Sequence, residues 1–109
     1  MSKSDVLQKE RDKLTAIFAD VEPSKRQLVE GLIEDAAFLA AENHELRERL
    51  RLTGMVKVHP QHPEIQKPVE AGRQYRQNVM AYAVVIKALN GVLTKNLLDE
   101  DENELEEFV

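Results

Sequence analysis

At 109 residues the chain has room for a single domain. It has no cysteine, which excludes disulfides, thiolate metal sites and cysteine nucleophiles. Aromatics are only 5% among abundant Ala, Leu, Glu, Lys and Arg, a mixture suited to helices with narrow seams. The net charge of −5 is unevenly spread: "DEDENELEEFV" (Asp99 to Val109) holds seven acids and no base, leaving 13 acids against 15 Lys and Arg elsewhere.

The charged start "MSKSDVLQKERDK" has no apolar core of a signal peptide, and no apolar run approaches the roughly 20 residues of a membrane span. These features lead to the expectation of a soluble, intracellular protein. In chain order, a first helix is expected over about Ser4 to Phe18, with Leu7, Leu14, Ile17, Phe18 and Val21 at helical spacing. "VEPS" (Val21 to Ser24) ends it.

The second helix is expected from Ser24 to Thr53. Ser24 and Gln27 have capping-box spacing, and Gly54 suits the position just beyond a helix end. Val29, Leu32, Ala36, Leu39, Asn43, Leu46, Leu50 and Thr53 alternate by three and four, and Asn43 falls where a buried amide can set the register between subunits. Leu28, Ile33, Ala37 and Phe38 widen the apolar surface and imply a second packing partner.

"LTGMVKVHPQHPEIQKP" (Leu52 to Pro68) interrupts the helical pattern. "MVKVH" (Met55 to His59) has the alternation of a short extended piece, and "HPEIQK" suits a turn of helix starting at Pro63. His59 and His62 have only Glu64 nearby, short of the three or four ligands a zinc site needs, so the stretch reads as a joint with no metal or cofactor. No nucleophile–base set or glycine-rich phosphate loop occurs, and Glu42 with Glu45 read as a solvated helix face.

A third helix is expected over Val69 to Leu93, with Pro68 in its first turn and a seam of Gly72, Tyr75, Val79, Tyr82, Ile86, Leu89 and Leu93. Asn90 and Gly91 weaken its end, so Thr94 to Leu98 should fray into an extended acidic tail. The expected fold is all-α: an N-terminal helical segment (1–22), a long antiparallel helical hairpin (23–98) and the tail (99–109). The seam residues Leu32, Leu39, Asn43, Leu46, Leu50, Tyr75, Val79, Tyr82, Ile86 and Leu89 are the candidates for self-association into an oligomer larger than a dimer.

Closing the hairpin brings Arg47, Arg49, Arg51, Lys57, Lys67, Arg73 and Arg76 to one end, against only Glu48, Glu64 and Glu70 in that interval. Such a cluster suits phosphates. Lys3, Lys9, Arg11 and Lys13 form a second basic candidate. In the tail, Leu105, Phe108 and Val109 have approximate helical spacing, as in an amphipathic turn that docks on a partner.

The stretch "ENHELRERLRLTGMVKVHPQHPEIQKPVEAGRQYRQNVMAYAVVIKALNGVL" (Glu42 to Leu93) resembles small terminase subunits of tailed bacteriophages. The features carrying the resemblance are a long helix, a glycine-bearing connector with a His-Pro step, and a second helix with "YAVVIKAL". The resemblance implies a non-enzymatic ring in the bacterial host cytoplasm that binds double-stranded viral DNA. Such a ring hands the DNA to a large terminase subunit carrying the ATPase and nuclease; the acidic tail is the expected contact with that subunit. The DNA-contacting candidates themselves rest on charge. The competing class is a helical coiled-coil adaptor or phage assembly factor without DNA binding; a small DNA-binding regulator is third.

Overall fold

In the computed structural model the first helix, α1 (Lys3–Ile17), begins with a capping box. The Asp5 N–H donates to Ser2 Oγ and the Ser2 N–H to the Asp5 carboxylate, each at 3.1 Å, so two otherwise orphaned donors are satisfied. The structure describes residues 1–108, with side chains described for 1–95 and Leu98.

The second helix, α2 (Pro23–Thr53), starts one residue before Ser24, and its N-cap is Glu22 with no side-chain capping bond. The Ser24–Gln27 capping box is therefore not formed. Pro23 occupies the first turn instead, where its fixed φ fits and its missing N–H leaves nothing unbonded. The far end follows the expectation: Gly54 adopts φ 75° and its N–H bonds the Leu50 carbonyl at 2.7 Å.

The joint is a β-hairpin, which corrects the all-α expectation to a mostly helical fold with a small two-stranded sheet. β1 (Val56–Val58) runs antiparallel to β2 (Gln66–Pro68), pairing Val56 with Pro68, Lys57 with Lys67 and Val58 with Gln66. Bonds from His59 N–H to the Ile65 carbonyl and from Val69 N–H to the Met55 carbonyl, both 3.0 Å, extend the ladder at either end. That alternation puts Pro68 opposite Val56 at a position that does not donate, so its missing N–H costs the ladder nothing. Pro63 and Glu64 form a turn, closed by the Ile65 N–H on the His62 carbonyl at 2.9 Å, where a helical turn was expected.

The third helix, α3 (Glu70–Phe108), starts after Pro68 and runs through Asn90 and Gly91 to Phe108. The expected fraying at Thr94 and the extended tail are thus not what the backbone adopts. A glycine costs a helix only about 1 kcal/mol, and Val92 and Leu93 pack on the core immediately beyond it.

Leu14 and Phe18, Val21 of the connector, Val29, Ile33 and Ala36 of α2, and Leu89 of α3 form one buried cluster. The second partner implied by α2's wide apolar face is therefore the chain's own α1: Ile33 and Ala37 are buried, whereas Leu28 and Phe38 stay exposed. Together the helices make a rod of 76 × 29 × 16 Å. Near the hairpin, α3 presses on the joint: a Cβ at Gly72 would lie 3.1 Å from the Met55 carbonyl oxygen, so only glycine allows this approach undisturbed.

Candidate nucleic-acid interface

The joint projects from the helices with every residue from Arg51 to Pro68 exposed. Around it lie the seven cations expected from sequence: Arg47, Arg49 and Arg51 on the last turns of α2, Lys57 on β1, Lys67 on β2, and Arg73 and Arg76 on the first turns of α3. All are exposed. Their environments differ. Arg51 pairs with Glu48 at 3.2 Å and Arg73 with Glu70 at 3.9 Å, both along their own helices. Such exposed pairs hold their charges weakly and leave them available to phosphates.

Arg47 lines a groove of about 300 Å³ with Val6, Glu10, Ala40, Asn43, Tyr75, Val79 and Tyr82. Arg49 lines a second hollow with Met1, Lys3, His44 and Glu45. Lys57 and Lys67 stand directly opposite each other across the hairpin and make no ion pair among the described residues.

The second basic candidate, on α1, is largely engaged. Lys3 pairs with Glu42 and, at 3.8 Å, with Glu45; Lys13 pairs with Glu10 at 2.8 Å. Arg11 grips Glu34 with two bonds, 2.6 and 2.8 Å, tying α1 to α2. The hydrogen bond to Glu42 raises the Lys3 pKa, that to Glu34 raises Arg11, and Arg11 holds the Glu34 carboxyl below its ordinary value. Lys9 alone of this set faces solvent with no such partner among the described residues. Lys3 and Arg11 fasten α1 to α2, a role that their sequence positions did not reveal.

The joint histidines have a structural task. His59 Nδ1 accepts the backbone N–H groups of Gln61 and His62, both at 3.1 Å, which places its proton on Nε2. The His62 ring lies 5.1 Å away and its Nδ1 is 3.4 Å from Glu64. With Nδ1 of His59 committed to the turn, the pair offers a metal little; among the described residues no three His, Asp or Glu side chains gather as a metal site. No described helix is long and apolar enough to cross a membrane.

No protein-family model, curated protein or solved structure matches this chain.

The seam residues assigned to self-association are in large part used within the protomer. Asn43, Leu46, Leu50 and Leu89 are buried; Leu32, Tyr82 and Ile86 pack against the core; Leu39 and Tyr75 are half-buried, and Val79 is exposed. Asn43 is buried within the protomer, and its Oδ1 has no hydrogen-bond partner among the described residues. Besides Val79, the large apolar side chains exposed on the helices include Leu28 and Phe38 on α2 and Met80, Val84 and Leu98 on α3. The side chains of Leu105, Phe108 and Val109, the expected partner contacts, lie outside the described residues.

Proposed function

We propose that this chain is a non-catalytic DNA-binding subunit of the small-terminase type, which assembles into an oligomer and recruits a large ATPase–nuclease subunit for genome packaging. One observation carries the reading: cations from three successive elements, α2, the β-hairpin and α3, converge on one exposed end of the rod with few acids between them. A backbone polyanion is the partner such a surface attracts, with an affinity set by counterion release. The resemblance of Glu42 to Leu93 to small terminase subunits supplies the packaging context. The oligomer in this reading is built through Leu28, Phe38, Met80 and Val84, because much of the α2–α3 seam is occupied within the protomer.

Two measurements test the reading. Fluorescence anisotropy on duplex DNA should show binding at low salt that weakens steeply as salt rises. Addition of the protein to a large terminase subunit should stimulate its ATPase. Absence of DNA binding at low salt would defeat the proposal.

The exposed apolar side chains also favour a second reading, a helical adaptor or assembly factor that binds only protein. It would show partner capture and no salt-dependent retention on DNA.

A further inference from the structure

The antiparallel register puts Lys57 and Lys67 face to face on the projecting hairpin. Cβ atoms at such positions are only about 4.5–5.5 Å apart, and like charges there destabilise the sheet. A cross-strand acid would relieve this, yet neither lysine has an ion-pair partner among the described residues. The alternation of side chains sets His59 and Ile65 on the same face as the two lysines, and these four residues together with Val58 line one shallow hollow. Because His59 Nδ1 accepts two backbone N–H groups, its Nε2–H remains as a third donor on that face. The opposite face carries Val56, Val58, Gln66 and Pro68 and no charge.

We propose that the β1–β2 hairpin is a DNA-inserting ribbon, seated in the major groove with Lys57 and Lys67 on backbone phosphates and the helix-borne arginines as flanking contacts. The inference rests on the DNA-binding reading above and assigns its primary contact. A two-stranded ribbon, with strands about 4.8 Å apart plus their side chains, matches the roughly 12 Å major groove and is too wide for the roughly 6 Å minor groove. Phosphate oxygens between the ammonium groups turn the Lys57–Lys67 repulsion into attraction, so the pair favours the bound state over the free one. An isolated two-stranded hairpin is marginal in water, and DNA on either side of it supplies the packing that it lacks.

The experiment compares duplex-DNA binding by the full chain and by Lys57→Gln with Lys67→Gln, across a salt series. The double variant should bind roughly tenfold or more weakly at low salt, and its slope of log affinity against log salt should be shallower by about two, one for each lost phosphate contact. The helical circular dichroism should match wild type, since no core residue changes. A minor-groove-filling dye should not displace the protein. Arg73→Ala with Arg76→Ala, as a comparison, should weaken binding less than the lysine pair. If wild type binds and the lysine variant binds with the same slope, the ribbon assignment is overturned while the DNA-binding reading stands. Displacement by the dye would likewise overturn the major-groove placement. If wild type itself does not bind duplex DNA at low salt, both fall.

Discussion

The Tyr82 hydroxyl donates to the Glu10 carboxylate, linking α3 to α1 across 72 positions of sequence. This bond and the Arg11–Glu34 pair fix the first helix on the hairpin from two sides. Tyr82→Phe removes the donor and leaves Glu10 with Lys13 as its remaining partner. It should lower stability by about 1–2 kcal/mol, read as a shift in the urea midpoint. An unchanged midpoint would mean that the bond contributes nothing net.

The same bond carries a pH dependence. Burial first, and Glu10 second, push the Tyr82 pKa up to about 12, against an ordinary value of 10.0. A raised value means that the folded state holds the phenolic proton more tightly than the unfolded chain does. The stabilisation is therefore complete below the ordinary value and is lost as pH rises toward about 12. The difference in urea midpoint between wild type and Tyr82→Phe should be constant through neutral pH and close in strong alkali. A gap that stays open there would contradict the assignment.

Asn43 was expected to set subunit register, but it is buried within the protomer, its Oδ1 without a hydrogen-bond partner among the described residues. Removing an unsatisfied buried acceptor in favour of an apolar group of similar size is stabilising, by about 1 kcal/mol or more. Asn43→Leu should therefore raise the melting temperature and leave the particle mass by light scattering unchanged. A changed mass would return Asn43 to the interface between subunits.

Self-association through the outer faces makes its own prediction. Met80 and Val84 are 65% and 68% exposed, and Phe38 is 58% exposed. Met80→Lys with Val84→Glu, or Phe38→Glu alone, should reduce the mass measured by light scattering without loss of helicity. Leu46→Ala should instead act on the protomer, lowering stability by about 2–4 kcal/mol through a cavity. Outer-face variants with the mass of wild type would show that these side chains do not join subunits.

Among the described residues the last to pack against the core cluster is Leu93, which precedes the acidic segment 99–109. Deleting it should leave the melting temperature within a degree or two of wild type and abolish stimulation of a large terminase subunit. Leu105→Ala with Phe108→Ala should reproduce much of that loss with the acids retained. Normal stimulation by the truncated chain would end the docking role proposed for this segment.

Local chemistry made much of the helical framework legible. Pro23 suits the start of α2 through its fixed φ and Gly54 the end through its freedom to take a positive φ, and the spacing of Leu46 and Leu50 identifies a buried stripe whatever covers it. The capping box at Ser2 and Asp5 was equally local and equally available to sequence, while that expected at Ser24 lost to the proline before it. Other features depend on partners distant in the chain. Periodicity says that a face is buried but not by what, so Ile33 and Ala37 pointed to a second partner without revealing that it was α1. A hairpin's register follows from which bonds close around the turn, and only that register brings Lys57 to Lys67, ten positions apart in sequence, as an unrelieved pair of like charges. The fate of these cations was decided the same way: Arg11 found Glu34 because α1 folds back along α2, whereas the lysines of the joint, held on an exposed ribbon, have no carboxylate partner among the described residues.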